Sequence, residues 1–215
     1  MVTAREVITS LIDAGQTVAT CESLTAGLLA ATLADVPGAS AALRGGLVTY
    51  ATDLKHTLAR VPQEVLAAHG PVARETAIAM ACGVRDVCDA DWGVSLTGVA
   101  GPDTQDGHPV GEVWVGVAGP AGTGVVHAGV AELAGTILGS ADLLVGDRDI
   151  IRRQAVAAAL AGPAPACRAA WPWVCGAASG APLAAAATAG LLPLFFRSTL
   201  VGGRQFWSLH APYSR

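Results

Sequence analysis

The chain holds a single lysine, Lys55, beside twelve arginines. Arginine keeps its charge in proteins, whereas a lysine that is removed from water can lose its proton and act as a general base. A lysine that persists where every other basic position is arginine is therefore a candidate base. The alternative is an ordinary surface lysine retained by chance, and composition does not separate the two.

Ser23 lies in residues 22–27, between a predicted strand and a predicted helix. A tight turn of this kind presents a hydroxyl at the edge of a sheet, and the N–H groups at the start of the helix point into the same space. Ser23 is therefore a candidate nucleophile, and Thr25 and Gly27 suit a close backbone approach. The alternative is that Ser23 or Thr25 only caps the helix. Glu22 either orients the turn or is solvated.

Other patterns exclude several kinds of site. The Gly-rich stretches at 45–46 and 97–102, both predicted as loops, match neither the dinucleotide pattern nor the Walker phosphate-binding pattern. The five histidines are isolated and the five cysteines form no CxxC pair, so we predict no metal site.

Three arginines, Arg148, Arg152 and Arg153, lie in the first turns of the last predicted helix, which follows Asp147. Guanidinium groups at such a place either reach a phosphate or form a solvated helix face. Both interpretations stay open from the residues alone.

The whole chain has 13 basic and 17 acidic residues among 215, and 52% of its residues are hydrophobic. That composition supplies a core and excludes wholesale disorder, and the acidic balance argues against a nucleic-acid partner. The first fifteen residues have the pattern of an amphipathic helix, not of a signal peptide. Together with the odd number of cysteines, this predicts a cytoplasmic protein with reduced thiols.

The composition changes near Gly162. Residues 1–163 hold all 17 acids, whereas residues 164–215 hold four arginines, no acid and seven of the ten aromatic residues. The stretch 169–196 is uncharged and long enough to span a bilayer, but its prolines and its many Ala and Gly residues argue against a membrane span. We expect residues 163–215 to be an irregular, poorly ordered extension. A membrane tether is the alternative.

Residues 1–162 read as alternating helices and strands. Thr3 and Glu6 form a capping-box pattern at the first helix. Predicted helices are 3–14, 28–33, 53–59, 62–68, 72–87 and 147–160, and predicted strands are 16–21, 47–50, 92–96, 112–118 and 125–130. This order predicts an α/β fold, a three-layer α/β/α sandwich with a mixed β-sheet. Loops at the strand ends should carry the function.

Six segments resemble, in order and spacing, the CinA C-terminal domain family, which includes bacterial nicotinamide-nucleotide amidases. They are TVATCESLTAGLLAATLADVPGAS, RGGLVTYATDLK, VPQEVLAAHGPVARETAIAMACG, ADWGVSLTGVAGPD, PVGEVWVGVAG and GDRDIIRRQAV. The resemblance covers residues 3–162. It implies hydrolysis of the carboxamide of nicotinamide mononucleotide to nicotinate mononucleotide and ammonia, without a cofactor or a metal.

The resemblance also implies roles for individual residues. Ser23 would be the nucleophile, Lys55 the general base, and Tyr50 an auxiliary hydrogen-bonding or proton-relay group. The backbone around Thr25 to Gly27 would stabilise the oxyanion. The residues implied to bind substrate are Thr25, Ala26, Gly27, Gly46, Thr97, Gly98 and Arg148. The expected partner is a small-molecule nucleotide, and the expected assembly is a homo-oligomer.

Two local departures from the family pattern motivate an alternative function. The family's TGG is Thr25-Ala26-Gly27 here, and a positive φ at Ala26 would cost on the order of 1 kcal/mol. Residues 134–145 form an added, nearly uncharged segment that would displace Arg148. The alternative is a catalytically weak or inactive nucleotide-binding module of the same fold.

Overall fold

The computed structural model describes residues 2–120, 122–127, 143–161, 196–201 and 204–209. The chain divides into two units, Met1–Ala178 and Ser179–Arg215. In the first unit the helices are α1 (Ala4–Asp13), α2 (Leu28–Ala34), α3 (Thr52–Thr57), α4 (Gln63–His69), α5 (Arg74–Val87) and α6 (Arg148–Ala161). Its strands are β1 (Val18–Glu22), β2 (Leu43–Val48), β3 (Trp92–Gly98), β4 (Val113–Gly119) and β5 (Gly122–His127).

Helix α1 begins as its sequence predicts. Thr3 adopts an extended backbone, its hydroxyl accepts from the Glu6 amide, and the Glu6 carboxylate accepts from the Thr3 amide. Val7, Ile8 and Leu11 lie on its buried face. The helical spacing of these residues and the capping box thus predicted both the start of the helix and its packed side.

The five strands form one mixed sheet in the order β2-β1-β3-β4-β5. β1 pairs in parallel with β2 and β3, and β4 is antiparallel to both β3 and β5. β1 and β3 therefore end at the same edge of the sheet. Residues that follow these two strands are brought together there, although about 75 positions separate them along the chain.

Helices cover both faces of the sheet. On one face, α1, α2 and α6 pack with Val94, Leu96 and the alternate residues of β4 in the larger hydrophobic core. On the other face, α5 packs across the central strands, and a smaller core joins Cys21 of β1 to Met80 of α5. The predicted three-layer α/β/α sandwich with a mixed sheet is confirmed.

The largest error in the predicted elements concerns residues 45–46, which lie inside strand β2 and not in a loop. Gly46 pairs with Thr20 of β1, and a Cβ on Gly46 would lie only 2.6 Å from the Thr20 hydroxyl. The glycine therefore permits close packing within the strand. Likewise Thr97 and Gly98, predicted as loop, form the end of β3, where Gly98 leaves room for the backbone of Glu112 and Val113.

The structure describes only part of the predicted extension. Residues 196–201 and 204–209 pair as an antiparallel hairpin, β6 (Phe196–Val201) and β7 (Arg204–Leu209), in the second unit. These two segments of the extension therefore form regular strands. The other residues of 163–215, which include the uncharged stretch at 169–195, lie outside the described residues. The prediction that they are poorly ordered therefore stays a prediction. Within the described part of the chain, no helix combines the length and the apolar character that crossing a membrane requires.

Candidate active site

Lys55 is buried against the turn that follows β1. It lies in α3 with 1% of its surface exposed. Its Nζ donates to Ser23 Oγ at 3.0 Å and to the backbone carbonyl of Thr49 at 3.0 Å. The surface-lysine alternative is therefore wrong, and the structure brings the candidate base within hydrogen-bond distance of the candidate nucleophile.

Burial changes the protonation of Lys55. Loss of solvation lowers the pKa of its ammonium to about 8. At neutral pH about one molecule in ten then carries the neutral amine that can accept a proton. Burial acts in the opposite direction on the neighbouring thiol, raising the pKa of Cys21 to about 11, so this thiol stays protonated and is a poor nucleophile.

Ser23 is held between two strands and a strained turn. Its amide donates to the carbonyl of Leu96 in β3, and only 8% of the residue is exposed. Two turns follow, closed by the Ala26 amide on the Ser23 carbonyl and by the Leu28 amide on the Thr25 carbonyl. Ala26 and Gly27 both have positive φ, 51° and 95°. The positive φ at Ala26 is unfavourable for a residue that carries a side chain.

Glu22 orients this turn and is not solvated. Its carboxylate has no exposed surface and accepts from the amides of Gly27, Leu29 and Ala30 at 2.8–3.0 Å. These are donors at the start of α2 that would otherwise lack partners. The first residue of α2 follows Gly27, which has no side chain to cap the helix, so neither Ser23 nor Thr25 is the cap. The hydroxyl of Thr25 is buried and has no hydrogen-bond partner among the described residues.

Of the amides expected to bind an oxyanion, those of Ala26 and Gly27 already have partners within the protein, whereas that of Thr25 makes no hydrogen bond among the described residues. The amide of Ala26 binds the Ser23 carbonyl and that of Gly27 binds Glu22, so neither is free to bind an oxyanion. Leu24 lines the pocket beside Ser23, and within the described part of the chain its amide makes no hydrogen bond. Leu24 therefore offers a free N–H next to the nucleophile.

Arg148, at the start of α6, reaches the same site. Its Nη2 donates to the Tyr50 hydroxyl at 2.7 Å and its Nη1 donates to the Gly101 carbonyl at 2.7 Å. The segment before α6 has therefore not carried Arg148 away from the site. Two of its five N–H donors are used in this way, which fixes the guanidinium plane and leaves other donors for a ligand.

These residues surround a pocket of about 560 Å³, its open mouth included. Ser23, Tyr50, Lys55, Thr97, Gly98 and Arg148 all line it, so six of the predicted site residues meet there. The hydroxyl of Thr97 donates to the carbonyl of Pro71 and leaves only its lone pairs for a ligand. Sequence reasoning did not single out Leu24, Pro71, Val72, Asp103 and Gln105, which also line the pocket.

Four predicted substrate-binding residues are not among the lining residues: Thr25, Ala26, Gly27 and Gly46. The first three form the turn behind Ser23, and Gly46 packs against β1. Their positions support the nucleophile and the sheet. Contact between these four residues and a substrate therefore stays a prediction.

Arg152 and Arg153 do not form a phosphate site with Arg148. Arg152 donates from Nε to the Leu24 carbonyl at 3.1 Å and from Nη2 to the Thr25 carbonyl at 2.9 Å. Arg153 is exposed and pairs with Asp149 at 2.7 Å. Arg153 therefore lies on a solvated helix face, which was one of the two interpretations left open by the sequence. Arg152 fits neither interpretation, because it binds backbone carbonyls of the protein itself. Over the residues that the structure describes, no group of His, Cys, Asp or Glu side chains is arranged to hold a metal ion.

Both the sequence and the fold are similar to those of known proteins. The CinA C-terminal domain pattern matches residues 2–164. A CinA-like protein of Frankia casuarinae is 47% identical over 150 residues, which is 70% of this chain and 31% of that protein. The chain thus spans about a third of the length of the curated relative.

Solved structures share the fold. The competence/damage inducible protein CihA from Agrobacterium tumefaciens is 33% identical with a TM-score of 0.63, and the match covers 73% of this chain and 88% of that one. A CinA superfamily protein from Escherichia coli is 28% identical with a TM-score of 0.63, over 74% of this chain and 84% of that one. With the family pattern spanning residues 2–164, the chain belongs to the CinA C-terminal domain family.

Proposed function

We propose that the protein hydrolyses the carboxamide of nicotinamide mononucleotide, giving nicotinate mononucleotide and ammonia. The observation that carries this proposal is the contact between Lys55 Nζ and Ser23 Oγ at 3.0 Å inside a buried site. A serine beside a lysine with a lowered pKa is a known arrangement for attack on an amide carbonyl. The family resemblance supplies the identity of the amide.

The proposed reaction has two halves. The neutral amine of Lys55 takes the proton of the Ser23 hydroxyl, and the serine oxygen bonds to the carboxamide carbon. The C–N bond then breaks, the ammonium of Lys55 returns a proton to the departing nitrogen, and ammonia leaves. Water next attacks the resulting ester with Lys55 again as base, and the bond between the acyl carbon and the Ser23 oxygen breaks. The ammonium of Lys55 returns the proton to that oxygen, and the released acid ionises in water to nicotinate.

The negative charge on the carbonyl oxygen needs a donor during both halves. The free amide of Leu24 is adjacent to Ser23 and lines the pocket, so we assign it to this oxygen. Removing one such donor typically costs about 3–4 kcal/mol of transition-state stabilisation. This assignment replaces the amides of Ala26 and Gly27, which bind groups of the protein itself.

Arg148 is proposed to bind the phosphate of the nucleotide. It is a charged donor group on the pocket wall, and its contacts with Tyr50 and Gly101 hold it in one orientation. Guanidinium groups bind phosphate oxygens through two parallel hydrogen bonds. Tyr50 is 54% exposed and contacts Arg148. We therefore propose that Tyr50 orients this arginine, in addition to the proton-relay role that the resemblance implies.

A second candidate, an inactive nucleotide-binding module, rests on Ala26, whose φ of 51° is strained for a non-glycine residue. The strain lies in the turn behind the nucleophile. It leaves Lys55 and Ser23 at 3.0 Å, and Arg148 on the pocket wall. These contacts favour an active enzyme over a binding module.

The experiment is to incubate the full chain with nicotinamide mononucleotide and to measure ammonia and nicotinate mononucleotide together. The two products should form in equal amounts. Nicotinamide riboside, which lacks the phosphate, is the matched substrate control and should be hydrolysed with a KM at least about tenfold higher, since it loses a charge-assisted contact. Binding of the mononucleotide without release of ammonia would favour the inactive module instead.

A further inference from the structure

The turn behind Ser23 contains both left-handed residues between β1 and α2. Ala26 and Gly27 adopt φ values of 51° and 95°. For an alanine this conformation is unfavourable, and such a residue persists only where surrounding contacts hold it. The contacts that hold this turn therefore determine where the Ser23 hydroxyl lies.

Two charged side chains of opposite sign bind the backbone of this turn, one as an acceptor and the other as a donor. The Glu22 carboxylate accepts from N–H groups on the side of α2, and Arg152 donates to the two consecutive carbonyls of Leu24 and Thr25. Among the described residues, no other side chain donates to either carbonyl. Arg152 is thus the side chain that fixes the first half of the turn, between Ser23 and Ala26.

The geometry of the peptide group extends the effect of these two hydrogen bonds. Each peptide unit is planar, so holding the carbonyls of Leu24 and Thr25 also fixes the N–H groups of the residues after them. One of these is the amide of Ala26, which closes the turn on the Ser23 carbonyl. A contact made 127 residues away in sequence therefore restrains the backbone directly at the nucleophile.

Helix α6 serves the site through two residues on one face. Arg148 and Arg152 are four positions apart, which places them on adjacent turns of the same side of the helix. Arg148 lines the pocket, and Arg152 binds the turn behind Ser23. The next residue, Arg153, points away and pairs with Asp149 at the surface.

We propose that Arg152 is a positioning residue that holds the left-handed turn and so keeps Ser23 Oγ within reach of Lys55 Nζ. The proposal rests on the proposed function for its catalytic consequence. It does not rest on that function for the structural effect on the turn, which can be measured separately. Arg152 touches no substrate and has no chemical step of its own.

The test compares Arg152→Ala with Arg153→Ala, its matched control, in the full chain. Hydrogen exchange followed by mass spectrometry reports the order of residues 22–30. We expect exchange there to rise at least about tenfold in Arg152→Ala and to stay unchanged in Arg153→Ala. Equal protection of 22–30 in the two variants would overturn the proposal, whatever the substrate proves to be.

Turnover supplies the catalytic arm. Arg152→Ala should lower kcat for nicotinamide mononucleotide about 10- to 100-fold with KM changed less than about threefold, because the nucleophile is misplaced and the pocket wall is not. Guanidinium chloride at about 50 mM, too little to unfold the protein, should restore part of kcat in this variant alone. A rise in KM at unchanged kcat would contradict a positioning role.

Ala26→Gly gives a further check that does not depend on Arg152→Ala being stable alone. If Arg152 acts by holding a strained turn, the kcat lost on its removal should be at least about threefold smaller in the Ala26→Gly background. Equal losses in both backgrounds would overturn the proposal. If the wild type hydrolyses no nicotinamide mononucleotide while exchange at 22–30 still rises in Arg152→Ala, the proposed function fails and the hold on the turn stands.

Discussion

Lys55 Nζ and Ser23 Oγ lie 3.0 Å apart, although the two residues are 32 positions apart in sequence. Ser23 follows strand β1, and Lys55 lies in the helix that follows β2, the parallel neighbour of β1. Both side chains therefore reach the edge at which parallel strands end. The parallel pairing of β1 with β2 thus brings Ser23 and Lys55 together. Burial of Lys55, whose Nζ also donates to the Thr49 carbonyl, lowers the pKa of its ammonium.

The pKa of Lys55 predicts how the rate depends on pH. Turnover should rise as the ammonium loses its proton and level off above a midpoint near pH 8. A rate profile of the wild type from about pH 6 to pH 9.5 measures this midpoint. A profile that stays flat between about pH 7 and pH 9 would contradict a lysine base with a lowered pKa.

The same shift predicts a change in stability with pH. Because the folded pKa of Lys55 lies below its unfolded value, the unfolded chain binds more protons above about pH 8. The free energy of unfolding contributed by this group should therefore increase from about pH 8 to pH 10. Urea denaturation of the wild type and of Lys55→Met, which cannot titrate, separates this contribution from the rest of the chain.

Ala26→Gly should stabilise the protein by about 1 kcal/mol. Relief of a left-handed alanine is worth about 1–2 kcal/mol, which exceeds the ~0.4–1 kcal/mol that the added freedom of glycine costs through the unfolded state. Urea denaturation of both proteins measures the difference. Ala4→Gly, at the start of helix α1, is the control and should destabilise, since no positive φ is relieved there. Loss of stability in Ala26→Gly would argue against strain at this position.

Glu22→Gln should destabilise the fold by about 2–3 kcal/mol. The amide keeps one acceptor oxygen and turns an NH2 group toward backbone donors that the carboxylate now binds. Glu64→Gln is the control, because Glu64 is exposed, and should change stability by less than about 0.5 kcal/mol. Similar unfolding midpoints for the two variants would mean that the buried carboxylate contributes little to holding the turn.

A chain that ends at Pro163 should stay folded and keep its activity. Helix α6 ends at Ala161, and its core residues, such as Ile151 and Val156, already pack in the larger core. Circular dichroism with thermal unfolding, together with turnover, measures both properties. Loss of cooperative unfolding in the shortened chain would show that the residues after 163 belong to the folded domain.

The sequence predicted the elements of the sandwich well where one periodic pattern dominates. Helix α1, with its capping box, and the helix α5 with its buried face are examples. It failed at Gly46, because glycine marks both turns and close packing inside a strand, and only the contact with Thr20 separates the two uses. That contact depends on how β2 pairs with β1 in the sheet, and the residues around Gly46 do not reveal this pairing.

In the candidate site, too, some features could be predicted from the sequence and others could not. Side chains that carry chemistry have recognisable types, so the sequence could single out Ser23 and Lys55 as candidates, and the structure brings these two into contact. Arg152 was noticed, but its partners could not be predicted, because they are the carbonyls of Leu24 and Thr25 and every residue has a carbonyl. The free amide of Leu24 was missed for a related reason. Its availability depends on which neighbouring amides are already bound.

The most direct test of the proposed dyad is the turnover of Lys55→Arg on nicotinamide mononucleotide, measured as ammonia release beside the wild type and Ser23→Ala. Arginine retains the positive charge but cannot lose its proton, so it removes only the base. Both variants should fold and lose at least about 100-fold in turnover. Wild-type-like turnover in Lys55→Arg would contradict the assignment of Lys55 as the general base.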